Sequence, residues 1–470
     1  MKRLLCMILT GLMLFSAACT AAPAVQVPEV PTDVPETQPT DVPADEPAEA
    51  PTDEPEAPIT IQPIEDPPID LTDPILPIDE PAGETADVGG YADFSSLLSA
   101  TLLDGRRNRN LSPISVWLAM AMVAEGANGE TQAELLKLLG CKTIEDLRTA
   151  CAAMLKTLSV EDEGCVLDVH NSLWMAEAIG GMPVHFHEDF LSVLGDTYRS
   201  EANTVDFSSF TAGQQIAEWI TEQTRGKIEV DPQAMRFDPM TIAVLINTIY
   251  LKSGWTDPFD TLLTEQGVFY GTDPETGDQT EITVDYMHRS DRNVTITQGD
   301  GWLRYRVYLN TVGYISFVLP DEGISLDRLL GSPEAIDKLL HKGIDKTCNV
   351  SLQIPKFSFQ DKMELTAILQ SLGLSHCFGD DADFSRMSDP NCRIDSVLQQ
   401  SYIGVDENGV EAAAYTMVSM RATGYFNPVE LETIEFHLTR PFFYSIETYD
   451  GDVLFIGTVT APNAAENVHK

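Results

Sequence analysis

The chain has 470 residues, enough for one large domain or two to three ordinary ones. It carries 73 acidic against 29 basic side chains, a formal net charge of −44. That balance excludes nucleic acid as a natural partner, since phosphates would be repelled, and disfavours attraction to an anionic membrane surface.

Lys2 and Arg3 precede an apolar run from Leu4 to Phe15, followed by Ser16-Ala17-Ala18-Cys19. A basic start, a short apolar core and small residues describe a secretory signal over residues 1–19. The cysteine after the small residues resembles a bacterial lipobox, so Cys19 is expected to become a lipidated first residue. Ordinary cleavage after Ala18 and an uncleaved anchor are the alternatives. The expected location is the outside of a bacterial cell, with the membrane touched only through that lipid.

Residues 20–88 hold more than half of the 29 prolines, eighteen acids, and no Lys, Arg or His. Proline removes donors and like charges repel, so an extended linker is expected. At ~3.1 Å per residue it could reach on the order of 200 Å, which makes it a tether. Without signal and linker, 27 basic face 55 acidic residues, a net −28.

From residue 89 the composition becomes globular, and one domain is expected over 89–463 with a tail over 464–470. Apolar spacing predicts helices over 93–103, 113–124, 135–139, 144–158, 186–194 and 209–223. Ser112-Pro113 supplies a cap and a first-turn proline for the second of these. Strands are predicted over 244–251, 282–287, 294–298, 305–309, 314–319, 350–354, 402–405, 436–438, 442–447 and 453–459. Helices first and strands later, without alternation, imply an α+β fold. Cys141, Cys151, Cys165, Cys348, Cys377 and Cys392 contain no CxxC and imply neither a disulfide scaffold nor a zinc site.

Near the end lies GVEAAAYTMVSM, Gly409 to Met420. Glu411, Ala412, Ala413 and Ala414 would suit a helix. With period two, however, Val410, Ala412, Ala414, Thr416, Val418 and Met420 form an uncharged set. Glu411, Ala413, Tyr415, Met417, Ser419 and Arg421 hold both charges and the tyrosine. That describes a strand with one buried and one wet face.

Several signatures follow one another along the domain: Asn108 to Ser115 (NRNLSPIS), GANGETQAEL from Gly126, IAEWITEQTRGKI from Ile216 and LINTIYLKSGWTDPF from Leu245. IPKF at Ile354, LQSLGL at Leu369, ADF at Ala382, DENGVEAAA at Asp406, RPFFYSI at Arg440 and GDVLFIGTV at Gly451 complete the order. Together they resemble the serpins. The resemblance implies three β-sheets, eight to nine helices and an exposed reactive loop on a metastable, monomeric protein. It implies a serine protease as partner, held as a covalent acyl complex once the cleaved loop enters the main sheet as a new strand. The inhibitor is then no enzyme and needs no cofactor.

Carried onto this sequence, the resemblance makes Glu407, Gly409, Val410, Glu411, Ala412, Ala413 and Ala414 the loop hinge. Asn108, Ser112, Ser115, Asn247 and Gln399 become a cluster beneath the opening sheet, and Trp255 with Lys252 marks where insertion begins. The family's spacing from Gly409 puts the scissile bond at Thr423-Gly424, suited to an elastase-like or subtilisin-like protease. Arg421-Ala422 is the alternative and would suit a trypsin-like one. The family usually has Thr or Ser where Val410 stands, and often His where Gln399 stands. These departures motivate a second reading, a non-inhibitory binding module of the same fold on the bacterial surface. His185 and His187 would share one face of a strand, but no third ligand is at motif distance, so no metal is expected. G-x-S-x-G, H-E-x-x-H, P-loop and dinucleotide fingerprints are absent from the sequence.

Overall fold

The computed structural model describes residues 90–162, 164–233, 235–410 and 431–462. The chain divides into two units, Met1–Leu76 and Pro77–Lys470, and the described residues all belong to the second. The expected signal, Cys19 and the whole of the linker therefore lie outside them.

Eight α-helices occur among the described residues: α1 Tyr91–Leu102, α2 Pro113–Gly126, α3 Gly129–Leu138, α4 Ile144–Thr157, α5 Glu188–Tyr198, α6 Phe210–Gln223, α7 Pro333–His341 and α8 Thr366–Ser371. The main strands begin with β1 Arg109–Leu111, β2 Cys165–Ala176, β3 Ser200–Val205, β4 Ala243–Gly254, β5 Glu265–Thr272, β6 Gln279–Gln298, β7 Trp302–Tyr308 and β8 Gly313–Pro320. They continue with β9 Ile344–Pro355, β10 Phe357–Glu364, β11 Leu398–Asp406, β12 Gly409–Val410, β13 Thr433–His437, β14 Phe442–Thr448 and β15 Val453–Val459.

One seven-stranded sheet runs β10–β11–β12–β4–β2, ends on a short strand at Val160–Glu161, and carries β3 parallel to β2. A nine-stranded sheet runs β1–β15–β14–β8–β7–β6–β9–β13, with β5 on β6. Two of the three expected sheets are fused here, because β6 is 20 residues long and carries the ladder from one layer into the next. A bulge between Asp291 and Val294 bends it on the way. Two small two-stranded sheets complete the described set.

Helix α2 is apolar nearly all round and fully enclosed, with Trp117 and Leu118 at 0% exposure. It packs against β4 and β15, so it lies between the two large sheets and holds the core. Ser112 caps it, its Oγ accepting from Ser115 N, with Pro113 in the first turn.

The expectation of helices first and strands later fails in the first half. β2 and β3 lie there, and β2 is a central strand paired with both β4 and β3. Its polar Asp168, His170 and Asn171 hide the apolar alternation that would have marked it. All six described cysteines are free thiols. His185 lies on a two-residue strand against Ser388–Asp389, and His187 precedes α5 with Nε2 3.4 Å from Asp389. No group of metal-ligating side chains occurs among the described residues. Among them too, no helix is long and apolar enough to cross a membrane.

Candidate functional site

β11 rises along β10, turns through Glu407-Asn408, and descends as β12. Its register is antiparallel, with Val405 opposite Val410 and Asp406 opposite Gly409. On its other side β12 pairs with β4, Gly409 opposite Gly254 and Val410 opposite Ser253. Among the described residues, β4 and β11 are joined only through this two-residue wedge. Below it they border a cleft, with Ile249, Tyr250 and Leu251 on one side and Tyr402, Ile403 and Gly404 on the other.

Gly409 is dictated by close approach. A Cβ there would stand 2.1 Å from the Ser253 carbonyl oxygen and 2.7 Å from Gly254 Cα. Val410 is 4% exposed, facing the core beside Val405. It is the first member of the uncharged set, and its burial gives the inward face of the wedge.

The turn above the wedge is clamped. Trp255, 1% exposed, donates from Nε1 to the Asp406 carbonyl at 2.8 Å, and from its backbone N to the Asn408 carbonyl at 2.9 Å. Phe259 N donates to the Glu407 carbonyl at 3.0 Å. Glu407 is buried, with Oε2 2.9 Å from Lys356 Nζ and Oε1 accepting from Thr264 Oγ1 at 2.8 Å. Burial pushes its carboxyl up, but the Lys356 and Thr264 bonds outweigh it and hold it below the usual glutamate value. Lys252 sits on β4, one residue before Ser253 and opposite Val166.

Beneath the cleft, the first turn of α2 grips both strands. Gln399 of β11 accepts from Ser112 N at 3.2 Å and donates to the Ser112 carbonyl at 2.8 Å. Its amide thus satisfies both the backbone N–H and the carbonyl of one residue, which a histidine could not do with a single ring nitrogen. Ser115 Oγ donates to Asn247 Oδ1 of β4, and Asn247 Nδ2 donates to Asn171 Oδ1 of β2 at 2.7 Å. Asn171 Nδ2 in turn donates to the Tyr198 carbonyl at 2.7 Å.

Ser112, Ser115, Asn247 and Gln399 are therefore brought together, and Asn108 is not. Its Oδ1 accepts from Thr460 N at 2.8 Å and Ala461 N at 3.0 Å, binding the end of β15. Sequence reasoning missed Asn110, two residues on, which is fully buried and ties β1 to β10, β11 and β14. Its carbonyl accepts from Ser401 Oγ of β11, and its Oδ1 accepts from Tyr444 Oη at 2.9 Å. Its backbone N donates to Asp361 of β10 at 3.1 Å. Asn171, Thr264 and Lys356 were also missed as site residues; Lys356 stands alone among apolar neighbours in IPKF, whereas Asn171 beside His170 and Ser172, and Thr264 before Glu265, give no such signal. Glu411, Ala412, Ala413, Ala414, Arg421, Ala422, Thr423 and Gly424 lie outside the described residues.

The fold and this wedge define a protein whose main sheet is joined, between β4 and β11, by two residues alone among those described. The family model described as serpin (serine protease inhibitor) matches residues 90–462, and the chain belongs to the serpin family. An uncharacterized serpin-like protein of Thermococcus kodakarensis is 28% identical over 80% of this chain and 85% of its own length. The antitrypsin of Bombyx mori is 28% identical over 74% of this chain and 86% of its own. Among solved structures, the thermophilic serpin tengpin in its native state is 28% identical, with TM-score 0.68, covering 80% of this chain and 94% of its own. Members of this family are mostly protease inhibitors rather than enzymes.

Proposed function

We propose that this chain is a suicide-substrate inhibitor of serine endopeptidases, elastase-like or subtilisin-like. The protease attacks Thr423-Gly424, with Arg421-Ala422 as the alternative bond. Before the acyl-enzyme hydrolyses, the freed loop enters between β4 and β11 and carries the protease away. The observation that supports this reading is β12, two residues already hydrogen-bonded to both strands at the top of the cleft.

The wedge also sets the register of insertion. Continued in step, 412 meets 403 and 251, 414 meets 401 and 249, and 416 meets 399 and 247. Small Ala412 and Ala414 would then face inward like Val410. The Thr416 hydroxyl would arrive between the amides of Gln399 and Asn247. An incoming strand gains ladders on both edges and leaves no inward charge unpaired.

Outside the domain, the proposal places the protein on a bacterial cell surface, lipid-anchored through Cys19 and held off by the acidic linker. The experiment is direct. Purified chain is mixed with elastase, subtilisin or trypsin and run on a denaturing gel. A covalent band at the summed mass is expected; complete loop cleavage without such a band for all three would contradict the reading. Sequencing the released peptide fixes the scissile bond.

A further inference from the structure

β6 and β7 pair only at Thr297 with Arg304 and Gln298 with Leu303. Beyond that point β6 follows β9 instead, and the two strands diverge. A cavity of about 710 Å³ opens at the fork, closed at one end by the last turn of α7. Its wall holds five permanent cations, Arg289, Arg292, Arg304, Arg306 and Lys342, against the carboxylates of Asp257, Asp291 and Asp345. An excess of positive charge is unexpected in a chain of net charge −44.

None of these three residues is free. Asp291 is forked onto Arg289, 2.8 Å from its Nε, and accepts from Tyr305 Oη at 2.6 Å. Asp345 accepts from Thr297 Oγ1 at 2.7 Å. Arg304 is 4% exposed, yet has no carboxylate at ion-pair distance among the described residues. Its Nη1 donates to the Leu339 and Leu340 carbonyls, at 2.7 and 2.6 Å, which lie at the negative end of α7. Burial first, and the Arg306 charge second, push its guanidinium below the ordinary arginine value. Arg306 lies on the same face of β7, stacked 4.5 Å over the Tyr314 ring. The Nε of Arg304 and that of Arg306 are both buried with no hydrogen-bond partner. Glu447 is buried nearby, but its oxygens accept from Tyr314, Ser316 and Ser445.

A buried guanidinium without an anion is costly even when carbonyls and Thr297 Oγ1 accept from it, and a desolvated charge on the wall of a cleft marks a candidate site. The Tyr314 ring supports the Arg306 guanidinium and the Trp302 ring lies 5.6 Å from that of Arg304, and two residues along a strand separate the two arginines by roughly 7 Å. We propose that this fork is a binding site for a small organic polyanion bearing phosphate or sulfate groups, gripped by Arg304 and Arg306. The volume lies within the range of roughly 300–1,000 Å³ typical of small-molecule sites. The proposal stands apart from protease trapping and survives its failure.

Two probes, pyrophosphate and sucrose octasulfate, are titrated calorimetrically into the purified full chain at low and high salt. Binding of at least one is expected, weakening with salt, and the tighter probe tells phosphate from sulfate chemistry. Arg306→Gln breaks no hydrogen bond in the structure and should fold; it is expected to weaken binding about tenfold or more. Arg292→Gln, at the exposed rim, should weaken it less. Lys142→Gln removes a cation that does not line the cavity and should leave affinity unchanged. Absence of heat with both probes overturns the proposal. So does an Arg306→Gln affinity within about twofold of wild type, or a Lys142→Gln loss equal to that of Arg306→Gln.

Discussion

At Gly409 the wedge strand passes so close to Ser253 that no side chain fits. Gly409→Ala would press a methyl onto that carbonyl, and β12 would have to leave its place between β4 and β11. Such an overlap costs on the order of 1–3 kcal/mol. Denaturant unfolding should show this as a lower midpoint at unchanged slope; an unaltered midpoint would mean the hinge does not sit there. Glu407 offers a second test, through pH. Its folded-state carboxyl lies below its ordinary value, so the unfolded chain binds the proton first. Its contribution to stability is therefore complete above about pH 4.3, the unfolded value, and is lost as pH falls through the lower folded one. Glu407→Gln should remove that part of the acid slope while leaving Lys356 short of a partner near neutrality. Melting curves across pH of both proteins check it; parallel slopes would exclude the clamp as a contributor.

At the scale of elements, one strand and the cleft between β4 and β11 decide the outcome. Val410→Arg places a charge on a face that is 4% exposed. The variant should be cleaved by a susceptible protease but form little covalent complex, and undiminished trapping would show the facing to be wrong. Thr416→Val keeps shape and loses the hydroxyl meant for Gln399 and Asn247. It should still trap, with a cleaved form less heat-stable than cleaved wild type by about 1–3 kcal/mol, the cost of leaving buried amides unmet. Equal stability of the two cleaved forms would break the register continued from β12. Much of this element was legible beforehand. The burial of Val410, the cap at Ser112-Pro113 and the strand at 244–251 are local signals; the rest of the period-two pattern lies outside the described residues. β2 was not, since its partners β3 and β4 bury Asn171 and leave His170 and Asp168 where alternation fails. Asn108 was misjudged against Asn110 because two asparagines two residues apart share one face of an extended segment, and only the neighbouring strands decide which lies over β11. The fork was invisible for another reason. Arg304 and Arg306 read as ordinary wet positions of a strand until β6 turns away and α7 closes over them.

On the scale of the whole molecule, the claim is that the described fold is not the most stable arrangement of this chain. β4 and β11 are bridged by side-chain amides onto α2 and by a two-residue wedge, where neighbouring strand pairs are joined by long ladders. A strand filling the cleft would add two ladders and bury an apolar face. The measurement that tests this most directly is the melting temperature of the chain before and after a protease nicks the loop. Complete nicking, verified by mass, should raise it by on the order of 10 °C or more. A nicked protein that melts where the intact one does would mean that the sheet takes no strand, and the inhibitory reading would fall with it.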